Sequence, residues 1–127
     1  MSIPEELKYA KSHEWVRDEG DGVVTIGISD YAQEKMTELV YVELPEEDRE
    51  VEAGEELAVV ESVKSASDIY APVSGTLMEA NSAVEDDPTL VNSSPFSDGW
   101  LFRIRLSDPA GLDTLMSAAE YEKLISE

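Results

Sequence analysis

Glu61-Ser62-Val63-Lys64-Ser65-Ala66-Ser67-Asp68 sets one lysine between two short runs that alternate like strands. Before it, Leu57, Val59 and Glu61 share one side, and Ala58, Val60 and Ser62 the other. After it come Ile69, Tyr70 and Ala71, then a turn from Pro72 to Gly75. The runs match in length, and the joint carries the small residues Ser65, Ala66 and Ser67. This pattern predicts a hairpin with Lys64 at or near its tip. An amine held there is reachable and acts as a nucleophile once deprotonated, which makes it a handle for a modifying enzyme. On the tip alone, a merely solvated lysine is the plain alternative.

The flanks are roughly symmetric. Gly54 and Gly75 stand at nearly equal distances on either side of Lys64, with strand-like runs beyond both. Upstream, Lys8-Tyr9-Ala10 leads into Ser12-His13-Glu14-Trp15-Val16. The turn Asp18-Glu19-Gly20-Asp21-Gly22 then joins it to Val23-Val24-Thr25-Ile26-Gly27-Ile28 as a hairpin. A short helix is expected from Ser29 to Met36, capped by Asp30 with Gln33 completing a capping box. Leu39-Val40-Tyr41-Val42-Glu43-Leu44 alternates as a strand, and Val51 opens another short run. Downstream, Thr76 to Ala80 is a strand, Asn81 to Asp87 a helical turn, and Thr89 to Asn92 a second. In the run from Trp100 to Leu106, Trp100, Phe102, Ile104 and Leu106 share one face, and Leu101, Arg103 and Arg105 the other. Ser117 and Glu120 form a capping box that opens a terminal helix. A small antiparallel β sandwich folded about the lysine hairpin satisfies this pattern.

The chain has 127 residues, so residues 1–127 are expected to form one domain. Hydrophobic residues make up 42%, enough for a modest core. The segment Met1-Ser2-Ile3-Pro4-Glu5-Glu6 lacks the basic start and apolar run of a signal peptide. No stretch approaches membrane-spanning length, and a cytoplasmic protein is expected.

Nine Lys+Arg stand against 29 Asp+Glu, a formal net charge of −20. Such a surface repels nucleic acid. The acids run through the whole chain, which argues against an acidic tail. They fit either a docking surface for basic partners or adaptation to a salty cytoplasm. The global spread favours the second. Glu46-Glu47-Asp48 lacks the ligand spacing and glycine of a calcium loop. There is no cysteine, hence no thiolate metal site or cysteine nucleophile, and no metal is expected. His13 is the one histidine and reads as structural. No phosphate loop or nucleophile elbow is present. One histidine, no cysteine and one singled-out lysine suit a chain that carries a cofactor better than one that catalyses.

From Val60 to Gly75 the sequence resembles the lipoyl-lysine segment of glycine cleavage system H proteins. The resemblance extends to Ser12-His13-Glu14-Trp15-Val16, Thr25 to Gln33, Val42-Glu43-Leu44-Pro45, Leu90 to Phe96, Asp98-Gly99-Trp100 and Glu120-Tyr121. Lipoyl domains of 2-oxo acid dehydrogenases favour Asp-Lys-Ala at the acceptor and biotinyl carriers Met-Lys-Met; here it is Val63-Lys64-Ser65. Two departures affect turns. Thr37-Glu38-Leu39 stands where the family usually has Leu-Gly-Asp, and Glu46-Glu47-Asp48 where it has a glycine.

The resemblance implies a lipoyl/biotinyl-type flattened β sandwich, or barrel-sandwich hybrid, with short flanking helices and a C-terminal helix. It implies lipoate joined to Lys64 through an amide, and a non-catalytic carrier. Glycine decarboxylase (P protein) would load the arm with an aminomethyl group. Aminomethyltransferase (T protein) would pass the carbon to tetrahydrofolate. Dihydrolipoamide dehydrogenase (L protein) would reoxidise the dithiol, and a lipoate-attaching enzyme would install it. The absence of cysteine leaves no protein thiol to compete with the cofactor in exchange. A cleft that receives the loaded amine is implied at Ser12, Glu14 and Asp68. A monomer is expected, with no nucleic-acid or membrane partner. A relay that hands lipoyl groups to other carriers through Lys64, and an unmodified acidic interaction module, remain as alternatives.

Overall fold

The computed structural model describes residues 3–126. Residues 1, 2 and 127 of the expected single domain, and so the start of the segment read for a leader, lie outside them. Along the chain the strands are β1 (Lys8–Tyr9), β2 (Glu14–Gly20), β3 (Val23–Ile28), β4 (Leu39–Glu43), β5 (Glu50–Val51), β6 (Glu56–Ser62), β7 (Ala66–Tyr70), β8 (Gly75–Ala80) and β9 (Phe102–Leu106). The helices are α1 (Asp30–Met36), α2 (Ser82–Asp86), α3 (Thr89–Ser93) and α4 (Ala118–Ile125), with a 3-10 helix at Pro109–Thr114.

The strands make two antiparallel sheets, ordered β1-β2-β3-β9-β8-β5 and β4-β6-β7. Their apolar faces close on one core. Val24, Ile26, Leu77, Phe102 and Ile104 come from the wide sheet, and Leu39, Val42, Val60 and Ile69 from the narrow one. The expected flattened sandwich with short helices and a terminal helix is therefore the fold.

A second cluster lies at one margin, where Tyr121 of α4 packs with Leu7, Tyr9, Trp15 and Ala118. The Tyr9 and Tyr121 rings stack with centroids 4.6 Å apart. Trp15 pairs in register with Gly27. A Cβ there would lie 2.6 Å from the indole, so the close approach requires glycine. The Ser117–Glu120 capping box opens α4 as the sequence predicts.

Four local expectations change. Ser29, not Asp30, caps α1; its hydroxyl accepts from the Ala32 amide, and Asp30 is the first helical residue. Both residue types cap well, and tertiary contacts of Ser29 decide between them. Gly75 opens β8 and is no part of a turn. A Cβ there would lie 2.0 Å from the Arg105 carbonyl oxygen. Leu101 is fully buried in the main core, against the alternation, because β9 begins only at Phe102. Trp100 lies outside the strand, and its ring sits under the Arg103 guanidinium at 4.2 Å.

Candidate functional site: the lysine tip and the adjoining cleft

Strands β6 and β7 pair from Glu56–Tyr70 up to Glu61–Ala66, leaving residues 63–65 as the tip. The Ser62 amide donates to the Ser65 carbonyl at 2.8 Å. Ser62 faces inward and is 8% exposed. Its hydroxyl oxygen accepts from the amides of Lys64 and Ser65, each at 3.2 Å. The turn is thus held from below by a side chain, as serine does in such motifs. Lys64 is exposed, and its side chain has no hydrogen-bond or ion-pair partner among the described residues. An amine so placed fits acylation, since neither burial nor a carboxylate competes for it.

A cleft of about 320 Å³ opens beside this hairpin. Ser67, Asp68 and Ile69 of β7 line it, with Tyr31, Ala32, Lys35 and Met36 of α1 and with Ser12, His13 and Ile28. Asp68 lies four residues past Lys64, on β7. Of the three residues the resemblance implies, Ser12 and Asp68 line the cleft. Glu14 does not; it is wholly buried behind the wall. One of its oxygens accepts from the Ser12 hydroxyl, the other from the Tyr70 amide at 3.2 Å. Burial pushes the Glu14 carboxyl up, and the bonds from Ser12 and Tyr70 partly offset this. The Ser12–Glu14 pair therefore acts as a unit, with the carboxylate fixing the hydroxyl at the cleft surface.

The residues that hold the cleft walls are not evident from the sequence. His13 sits at φ 78°, and its carbonyl accepts from the Ser29 amide at 2.9 Å. Its ring Nδ1 lies 2.8 Å from the Tyr121 hydroxyl, which is also 2.6 Å from Ser29 Oγ. Burial lowers the His13 pKa, which favours the neutral ring. Burial likewise pushes Tyr121 up to about 12. In the consistent arrangement Ser29 donates to Tyr121, and Tyr121 donates to His13. One buried hydroxyl from the terminal helix joins the His13 loop to the start of α1. At the far end of α1, the Asn92 side chain donates to the Thr37 carbonyl at 2.8 Å and accepts from the Leu39 amide at 2.9 Å. The capping motif at Ser117 foretells α4, but the reach of Tyr121 across the chain had no local signal. Among the described residues no cluster of metal-ligating side chains occurs, and no helix is long and apolar enough to cross a membrane.

A two-sheet sandwich that presents one unpaired lysine on a braced hairpin, beside a cleft, defines a group-carrier type of protein. Comparisons with known proteins narrow this class. The family model described as "Glycine cleavage H-protein" matches residues 7–127. The glycine cleavage system H protein of Pseudoalteromonas translucida is 56% identical, over 99% of this chain and 98% of its own length. That of Alcanivorax borkumensis is 58% identical, over 97% and 95%. A crystal structure of a glycine cleavage system H protein from Mycobacterium marinum superimposes with a TM-score of 0.89 at 36% identity, covering 98% of this chain and 99% of that one. The chain belongs to the glycine cleavage H-protein family.

Proposed function

We propose that this protein is the lipoyl-lysine carrier of a glycine cleavage system. It moves an aminomethyl group from glycine decarboxylase to aminomethyltransferase during glycine catabolism, with dihydrolipoamide dehydrogenase restoring the disulfide. It is a monomeric, cytoplasmic and non-catalytic subunit. The observation that carries this reading is the Lys64 amine, exposed and unpaired on a turn braced by Ser62. Lys64 is the point of attachment, through an amide. The lipoyl group, when bound, supplies a dithiol that is reversibly oxidised and accepts the carbon unit.

The chain's own residues present, position and shelter. Ser62 fixes the backbone of the tip without touching the lysine side chain. Ser12 and Asp68 offer oxygen acceptors at the cleft wall to a positively charged amine. Glu14 orients Ser12 from behind. Lys35 also lines the cleft, so an incoming cation is held to the Asp68 side by repulsion from the other.

Intact mass before and after treatment with a lipoate ligase, lipoate and ATP tests the attachment. One lipoyl adduct is expected, lost in Lys64→Arg. The modified protein should then support glycine-dependent release of carbon dioxide by purified glycine decarboxylase. An adduct without that release would move the assignment to lipoyl relay. No adduct would leave an unmodified interaction module.

A further inference from the structure

Strand β4 holds two consecutive apolar residues in solvent: Val40 is 53% exposed and Tyr41 46%. An ordinary strand, with its period of two, turns one of any such pair inward. The cause is a bulge. Leu39 stands opposite Ser62 and Tyr41 opposite Glu61, so Val40 is the extra residue. Leu39 and Val42 both reach the core, at 1% and 3% exposure. The bulge occurs where β6 runs into the lysine tip. There Val63, beside Lys64, is 76% exposed. Among the described residues, three of the five exposed large hydrophobic side chains thus lie at the lysine tip or on the strand paired with the residues just before it. Glu38, Glu43, Glu61 and Asp68 lie on or beside the same sheet.

We propose that Val40, Tyr41 and Val63 form the docking patch for the enzyme that acylates Lys64, and that this enzyme meets them with an apolar surface rimmed by basic side chains. The proposal rests on the reading of Lys64 as the acceptor. An enzyme acting at the far end of a long arm need not touch the residue that carries it. The enzyme that forms the amide must close on the tip itself. In that step the neutral Lys64 amine attacks the carbonyl carbon of a lipoyl-adenylate made from lipoate and ATP. The C–N bond forms, the C–O bond to AMP breaks, and the proton leaves the nitrogen to a base of the enzyme. A patch of three side chains gives a short-lived contact, which suits a substrate that must be released. The surrounding carboxylates select a basic partner and speed encounter with it.

The test compares the unmodified parent with Val63→Ser, Tyr41→Ser and the double variant. Met78→Ser, at an exposed apolar site on β8, serves as the control. Initial rates of mass gain are followed with a lipoate ligase, lipoate and ATP at varied carrier concentration. The double variant should raise KM for the carrier about tenfold, with kcat at saturation unchanged. Met78→Ser should match the parent, and circular dichroism should show all of them folded. Equal KM for parent and double variant overturns the patch while leaving Lys64 as acceptor. No mass gain on the parent overturns both. Normal acylation of the double variant, with impaired turnover by glycine decarboxylase, would assign the patch to that partner and defeat the proposal.

Discussion

The Tyr121 hydroxyl lies 2.6 Å from Ser29 Oγ, linking the terminal helix to the cap of α1. The same hydroxyl reaches His13 Nδ1 on the opposite wall of the cleft. Tyr121→Phe keeps the ring stacked on Tyr9 but removes both bonds. It should cost about 1–3 kcal/mol, because polar atoms shielded from water are left unpaired. Urea unfolding measures it. A loss below about 0.5 kcal/mol would make the bridge incidental.

Glu14 gives a signed pH dependence. Its folded pKa is raised above the ordinary value of 4.5 by burial. The folded state therefore binds the proton more tightly, and the stability gained this way is full below 4.5. It is lost as pH rises through the folded pKa. Glu14→Gln keeps an acceptor for the Tyr70 amide and turns its amino group to Ser12, without titrating. The stability of Glu14→Gln minus that of the parent should rise with pH across this window. Urea midpoints taken at successive pH values would show it, and a flat difference would deny the shift.

Thr37 sits at φ 66°, ψ −158°, a backbone conformation suited to glycine. The sequence marked Thr37-Glu38-Leu39 as a departure in turn geometry; the helix nevertheless ends there with the strain retained. Asn92 holds the Thr37 carbonyl in place. Thr37→Gly should raise stability by about 1 kcal/mol. Thermal unfolding is a sufficient readout, and a lower midpoint would refute the strain.

Lys64→Arg should change stability by less than about 0.5 kcal/mol, since the side chain is exposed and unpaired. It should abolish the mass gain with lipoate ligase, because guanidinium stays protonated. An adduct retained in this variant would point to one of the other lysines: Lys8, Lys11, Lys35 or Lys123.

Charge sets a prediction on salt. The 29 acidic residues face nine cations, and Arg49–Glu55 and Arg103–Glu79 are ion pairs among the described residues. With about three times as many acids as cations, self-repulsion is broad. If the excess is adaptation to salt, the thermal midpoint should climb steeply as potassium chloride enters the molar range, where the Debye length is about 3 Å. A midpoint indifferent to salt would favour the acidic docking surface.

The lysine hairpin was legible because two strand-like runs of matching length flank Lys64. The alternation itself fails at a bulge that buries both Leu57 and Ala58, and over Ala66, Ser67 and Asp68, which are all exposed. The first hairpin and the terminal helix were legible from Gly20-Asp21-Gly22 and from Ser117–Glu120. What escaped the sequence depends on partners far along the chain. Ser29 and Asp30 are equally good caps until Tyr121 arrives at Ser29. The bulge at Val40 leaves no mark in a run that alternates well enough without it. Ser12, just before β2, and Asp68 of β7 meet at one cleft although β2 and β7 belong to different sheets. Asn92 reads as a polar residue in a short helical turn, and nothing near it announces Thr37 or Leu39.

The pairing of β3 with β9 has a consequence for how the molecule is made. Val24 faces Ile104 and Ile26 faces Phe102, so the middle of the wide sheet waits for β9, which follows every other described strand in chain order. Until then β3 has an open edge, free to pair with a neighbouring nascent chain. The β6–β7 hairpin has no such wait, for contiguous strands close within microseconds. Its inward residues, Val60 and Ile69, still lack the opposing layer. The lysine tip is shaped before the sheet it rests on is complete, so an enzyme that reads the assembled sandwich acts only once β9 has docked.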